Sequence, residues 1–529
     1  MNTTAGKRSL FPSIADILFI SLLLYLCLFE GKRLLNDGDT GYHIRAGEFI
    51  LDSFTVPRYD MFSFISPALP WTAHEWLAEI IMALVHRAGG LTGVVVFFAL
   101  LIAGTFHLYF KTLRRENGNI YIAILLMIMV IATSKIHLLA RPHIFSLTIM
   151  VAWYFLLDSY QYQDRDRLYI LPFIMLLWVN LHGGYVVGLF LIGVYLLGNL
   201  VQLFTPQSEL RQQAVTKAKK LTLILFTCLA ACLVNPTGYH ILLFPFKLVS
   251  DTYIMDHVHE FMSPNFHEPF YFKYMLLGMI ILFAATREKL NVIELVLIVF
   301  FVNMSLYSVR YIPLFAIFSA PIILRRCDSQ VAQWSNRPVN FLKRSAERVA
   351  SMDASARGLV WPAAAISLVA VMAASGRTAF TFDEKTKPVA AVRFLLTEKI
   401  SGNMFNNDEF GDYVIYSSYP HYKVFIDGRS DMYGSKQLKE YFSVINFERG
   451  WEDILERYNI DWILYNSDSM FTRHLLKNSD WRLIYADNTS SIFVKNIPKY
   501  QALIEKYPDV KPAVPEDKST ATAQVNPHS

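Results

Sequence analysis

A chain of 529 residues that is 53% hydrophobic, 14% aromatic and only 18% charged carries too few charges for a soluble globule, in which charged residues approach a quarter. Its mean hydropathy of +0.31 is diluted by a polar C-terminal third, so the apolar residues concentrate in roughly the first 375 positions. The formal net charge of +5 is spread over short loops between apolar runs, which is a topology signal and gives no nucleic-acid-binding patch.

In chain order, apolar runs occupy residues 12–29, 91–110, 119–134, 143–157, 168–180, 185–204, 221–234, 271–285, 291–308, 311–324 and 358–375. They predict an α-helical polytopic membrane protein of about eleven spans, several of which fall short of ~20 residues and must tilt, break or borrow polar turns. Lys7 and Arg8 precede the first run and no small-residue cleavage site follows it, as in an uncleaved signal anchor. The N-terminus and the loops 111–118, 158–167, 205–220, 286–290 and 325–357 hold the larger share of Lys and Arg. They are therefore assigned to the cytoplasm, with residues 376–529 outside the membrane. Cys27, Cys228, Cys232 and Cys327 form no disulfide framework, and Cys228 and Cys232, one turn apart in an apolar run, read as packing.

On this map the unusual polar motifs fall at outer ends or outer loops: NDGDTGYH at 36–43, HEW at 74–76, ARPH at 140–143, NLHGG at 180–184, NPTGYH at 235–240, DHVHE at 256–260, and Arg310. Ionisable groups at membrane level are costly unless they line a cavity, so the clustering predicts one outward-facing polar site. In the first outer loop, residues 30–90, Tyr42, Ala46, Phe49 and Ile50 have helical spacing and predict an amphipathic helix at the membrane interface. Asp39 and His43, four apart, would share a face of it. Asp37 and Asp39 could converge through a turn at Gly38 on one divalent cation or one sugar hydroxyl, although Asp at a helix start is also an ordinary cap. Thr72 and Glu75 have capping-box spacing, which makes Glu75 a cap before it is an acid and leaves His74 freer to reach a phosphate or hydroxyl. Arg141, His143, His182 and Arg310 supply cationic groups of the type that bind a lipid-linked phosphate. His257 and His259 make a poor zinc signature.

Residues 376–506 alternate between helical and strand patterns. Helices are expected in KPVAAVRFLLTEK, FGDYVIYSS, SKQLKEYFSVI, WEDILERY and FTRHLLK, and strands in GNMFNN, KVFIDGR, DWILYNS, WRLIYAD and SIFVKN. This is a C-terminal soluble α/β domain after a transmembrane domain at 1–375. Residues 507–529, rich in Pro, Ala, Ser and Thr, read as a disordered tail.

The first-loop segment NDGDTGYHIRAGEFILDSFTVPRYDMFSF with PWTAHEWLAE, together with ARPHIFS, NLHGGY, NPTGYHILLFP, GNMFNNDEFGDYVIY and VFIDGRSDMYG, resembles a bacterial family of large membrane proteins. That family is related to the GT-C glycosyltransferases, which include protein O-mannosyltransferases, the lipid A aminoarabinose transferase and oligosaccharyltransferase. The resemblance implies a GT-C-like fold and an inverting transfer of sugar from a polyprenyl-phosphate-linked donor to a cell-envelope glycan, lipid or protein acceptor. It places Asp39, Asp37 and His43 in catalysis, and His74, Glu75, Arg141, His143, His182 and Arg310 at the substrate. Some members of the superfamily use a divalent cation and others none, so magnesium or manganese on Asp37 and Asp39 stays open. Two readings from other classes are a lipid-linked glycan transporter, against which no internal repeat is detected, and a non-catalytic envelope assembly protein.

Overall fold

The computed structural model describes residues 11–114, 118–267, 271–356, 358 and 360–513. Lys7, Arg8 and residues 514–529 of the expected tail lie outside the described residues. The chain forms two compact units, one from residues 1–34 and 74–380, the other from 35–73 and 381–529. The first outer loop, expected to group with the transmembrane domain, thus contributes residues 35–73 to the unit that carries the C-terminal domain, and the break falls after Phe380 instead of after residue 375.

In the first unit a helix stands at every apolar run: Ile14–Leu28, Trp76–Arg114, Ile120–Ser134, His143–Gln163, Leu171–Leu181, Tyr185–Gln202, Ser208–Cys232, Tyr271–Ala285, Val292–Tyr307, Ile312–Gln333 and Val360–Ala374. Among the described residues three helices, Trp76–Arg114, Ile120–His137 and Tyr185–Gln202, are long and apolar enough to cross a membrane, and several shorter apolar helices accompany them. One of these, His240–Ser250, fell in no expected run. Starts follow local chemistry. Ser13 with Asp16, and Asn291 with Glu294, close reciprocal capping boxes, and Pro313 occupies the first turn of Ile312–Gln333. Gly90, at φ 59° and ψ −157°, breaks the long helix Trp76–Arg114 where only glycine is at ease. Buried Trp153 and Trp178 pack edge to face over Gly188, where an added Cβ would lie 2.6 Å from the Trp178 ring.

In the second unit four strands, β1 (Asn403–Asn406), β2 (Ile460–Asn466), β3 (Trp481–Ala486) and β4 (Ser490–Lys495), form a sheet of order β1-β2-β4-β3. The β1/β2 pair is parallel, with Phe405 opposite Ile463, and the other pairs are antiparallel, with Phe493 opposite both Ile463 and Leu483. The five expected helices appear at Val389–Glu398, Asp408–Ser418, Ser430–Ile445, Trp451–Arg457 and Met470–Leu475. The strand expected in KVFIDGR does not form: only an isolated bridge joins Val424 to Ser63. One side chain replaces the ladder, because Asn406 accepts the N–H of Phe425 and donates to the carbonyl of Ile426, each at 2.8 Å. Helix Thr40–Ser53 packs against Asp408–Ser418. Its apolar residues Tyr42, Ala46 and Ile50 are buried in protein, where the sequence had suggested a membrane interface. Tyr507, at the start of the expected tail, packs on Phe394 and donates to Glu398.

Candidate functional site

The first unit gathers a polar cluster from segments far apart in sequence. Helix Leu171–Leu181 ends at His182, whose extended backbone turns the chain into the next helix. The Gly184 N–H donates to His182 Nδ1 at 2.9 Å, and the Ser146 hydroxyl, which receives the Trp178 indole N–H, lies 2.7 Å from the same nitrogen. With Nδ1 an acceptor, the neutral ring carries its proton on Nε2. That nitrogen faces the Glu75 carboxylate at 3.5 Å, and His74 Nε2 lies 3.9 Å from the same oxygen. His74 also packs against Phe244 with the rings tilted, their centroids 4.7 Å apart.

A capping box from Thr72 to Glu75 is expected at the start of helix Trp76–Arg114. The helix begins at Trp76 and the Glu75 carbonyl accepts the Glu79 N–H at 3.0 Å, so Glu75 stands at the cap position itself and its carboxylate turns toward the imidazoles.

Beside His182, with ring centroids 6.4 Å apart, is His143, the first residue of His143–Gln163. Its Nε2 lies 2.6 Å from the His137 carbonyl, and His137 Nε2 lies 3.2 Å from the carbonyl of Val309. The Nε2 proton of a neutral His143 is thus committed to backbone, which leaves Nδ1 as an acceptor. Arg141 and Arg310 meet on Glu260: Arg141 Nη1 is 3.3 Å from Oε2 and Arg310 Nε is 3.4 Å from Oε1. Burial pushes the Glu260 carboxyl up, but Arg310 and Arg141 more than offset this and hold it well below the usual carboxylate range. Arg310 also lies over the Phe261 ring, 5.3 Å from its centroid.

The structure therefore brings together His74, Glu75, Arg141, His143, His182 and Arg310, all named from sequence. Glu260, His137 and Ser146 are additions. Glu260 stood in the DHVHE motif, where the two histidines drew the attention. His257, by contrast, stacks on Tyr253 and lies 3.0 Å from its carbonyl.

Asp37, Asp39 and His43 belong to the second unit, and all three are buried. Asp37 Oδ1 accepts the Asp39 N–H at 2.9 Å. Asp39 is the cap residue of Thr40–Ser53 yet makes no side-chain cap bond. The first-turn N–H groups of Gly41 and Tyr42 go to the carboxylate of Asp412, at 3.2 and 2.6 Å. Burial drives the Asp412 carboxyl well above its ordinary value, with Lys387 opposing and the Asp39 charge adding. His43 follows one turn after Asp39, its N–H on the Asp39 carbonyl at 3.2 Å and its ring 4.1 Å from that of Tyr42. Among the described residues no group of three or more His, Cys, Asp or Glu is placed to hold a metal ion.

The Asp427–Arg429 turn is interior. Arg429 pairs through Nη2 with Asp427 at 2.6 Å and with Asp60 at 2.8 Å, and its guanidinium lies among the rings of Tyr42, Phe62, Trp71 and Tyr433.

No family model and no curated protein matches the chain. Solved structures do. The archaeal oligosaccharyltransferase AglB from Archaeoglobus fulgidus, in complex with an inhibitory peptide and a dolichol-phosphate, superimposes with a TM-score of 0.51 at 10% identity, over 92% of this chain and 74% of that one. The chain shares the fold of that oligosaccharyltransferase. ArnT from Cupriavidus metallidurans, bound to undecaprenyl phosphate, matches at a TM-score of 0.44 and 13% identity, over 91% of this chain and 98% of that one.

Proposed function

We propose that the protein is an inverting membrane glycosyltransferase that moves a sugar from a polyprenyl-phosphate-linked donor to a cell-envelope acceptor on the extracytoplasmic face of a bacterial inner membrane. The observation that carries this reading is the convergence of Arg141 and Arg310 on one carboxylate. Two guanidiniums fixed around an anion in a largely buried setting suit a phosphate group, whose oxygens take the same charge-assisted bonds. The oligosaccharyltransferase of the same fold was solved with a dolichol-phosphate, which agrees with a donor of that chemistry.

In this reading Asp39 accepts the proton of the acceptor hydroxyl as its oxygen attacks the anomeric carbon. The bond from that carbon to the donor phosphate breaks, and the electron pair leaves on the polyprenyl phosphate. Arg141 and Arg310 stabilise the charge that develops there. Asp37 supports Asp39 by taking its backbone N–H, and His43 orients it from one turn below. His182 and His74, held on Glu75, bind substrate hydroxyls or phosphate oxygens. His143 braces His137. Asp37 and Asp39 are also the residues to which a divalent cation would be assigned, and no step here depends on one.

The test is transfer by purified protein in proteoliposomes, from polyprenyl-phosphate-linked hexoses to an envelope fraction. Asp39→Asn nearly preserves shape, so removal of a base is expected to cost on the order of a hundredfold or more in rate. Transfer at close to the wild-type rate would remove Asp39 as the base, and no transfer by wild type from any such donor would return the protein to an assembly or transport role.

A further inference from the structure

Asp39 stands where a helix-capping aspartate is expected, and another residue does its capping. Gly41 and Tyr42 donate to Asp412, a wholly buried carboxylate on the neighbouring helix Asp408–Ser418. The Asp39 side chain makes no cap bond to the first turn of its own helix. It lies against Gly428: a Cβ on that glycine would sit 1.8 Å from Asp39 Oδ1.

Gly428 is held from both sides. Asp427 accepts from Arg429 N at 3.0 Å, Nε at 2.8 Å and Nη2 at 2.6 Å, and from the Tyr433 hydroxyl at 2.8 Å. Ser430 N donates to the Gly428 carbonyl at 2.8 Å. Arg429 reaches across to Asp60, and the backbones of Phe62 and Phe64 pair with Val424, three residues before the turn. A turn fixed by so many charge-assisted bonds cannot yield easily, so any conflict beside it falls on the Asp39 side chain.

We propose that the Asp427–Gly428–Arg429 turn and Asp412 are positioning residues that set where the Asp39 carboxylate points, with the missing side chain at 428 providing its seat. This rests on the reading of Asp39 as the base. It makes the domain after the last apolar helix part of the catalytic apparatus, because that domain aims the carboxylate of the first loop.

Gly428→Ala separates position from presence. The Gly428 backbone lies outside the left-handed region, so alanine introduces a methyl group without backbone strain. The readout is release of polyprenyl phosphate from polyprenyl-phosphate-linked hexoses, with an envelope fraction as acceptor. Gly428→Ala is expected to lower kcat tenfold or more and to leave the donor KM within twofold, with a lowered melting temperature but a folded protein. In an Asp39→Asn background the same change is expected to cost less than twofold, since the carboxylate it displaces is gone. Asp412→Asn, which keeps an oxygen for only part of the capping duty, is expected to act in the same direction and also to lose its effect in that background. Wild-type kcat for Gly428→Ala, or a full effect in the Asp39→Asn background, overturns the positioning role and leaves Asp39 as the base. Wild-type rates for Asp39→Asn alone overturn the base itself.

Discussion

Arg141 and Arg310, remote in sequence, are held by the two oxygens of the Glu260 carboxylate at 3.3 and 3.4 Å. A carboxylate in that place is a competitor for any phosphate that binds the same guanidiniums. Glu260→Gln keeps the shape and removes the charge, so polyprenyl phosphate is expected to bind severalfold more tightly to the variant. Fluorescence titration of wild type and variant in nanodiscs checks this. Weaker binding would make Glu260 a required brace for the arginines.

The stack of Trp153 and Trp178 on Gly188 supports the Ser146 hydroxyl that lies against His182. Gly188→Ala places a methyl 2.6 Å from the Trp178 ring. Overpacking of this kind costs about 1–3 kcal/mol, read as a lowered midpoint of thermal unfolding in detergent. Because Trp178 donates to Ser146, a lower transfer rate is expected with it. An unchanged midpoint would mean that the rings move aside freely.

The Asp60 carboxylate is nearly inaccessible. Burial pushes its pKa up, but Arg429, Ser63 and the Phe62 N–H more than reverse this and hold it below the ordinary value. Folding therefore weakens its hold on a proton. The stabilisation is present in full above the unfolded pKa of an aspartate and is lost as pH falls through the lower folded value. Asp60→Asn is expected to be less stable than wild type by about 1.5–3 kcal/mol at pH 7. The difference should narrow as the pH is taken below about 4. Thermal unfolding of both proteins between pH 3 and 7 measures it, and a gap that widens on acidification would contradict the assignment.

Helix positions and most of the C-terminal elements were legible because they depend on local pattern. The apolar runs end at Pro, Gly and capping residues, and the strands alternate between turn signals. KVFIDGR was misjudged because one buried side chain, Asn406, takes over the hydrogen bonds a neighbouring strand would supply, and no periodicity reports that. Thr40–Ser53 was read as lying on the membrane because its apolar face looks the same whether lipid or Asp408–Ser418 covers it. The convergence of Arg141, His143, His182 and Arg310 was readable from their common placement at helix ends. Glu260 was not, since an acidic residue within a histidine-rich motif gives no sign of which cations it will meet. The capping of Gly41 and Tyr42 by Asp412 is likewise a tertiary fact, as is the seat of Asp39 against Gly428.

The central claim is that Arg141 and Arg310 hold a lipid-linked phosphate, and its most direct test is the binding of polyprenyl phosphate, against the uncharged polyprenol, to wild type and to the Arg141→Ala/Arg310→Ala protein in nanodiscs. Loss of charge-assisted bonds worth about 1.5–3 kcal/mol each corresponds to at least a tenfold weakening for each arginine. The account predicts that wild type prefers the phosphate by a hundredfold or more and that the double variant binds the two lipids alike. Equal preference for the phosphate in both proteins would contradict it.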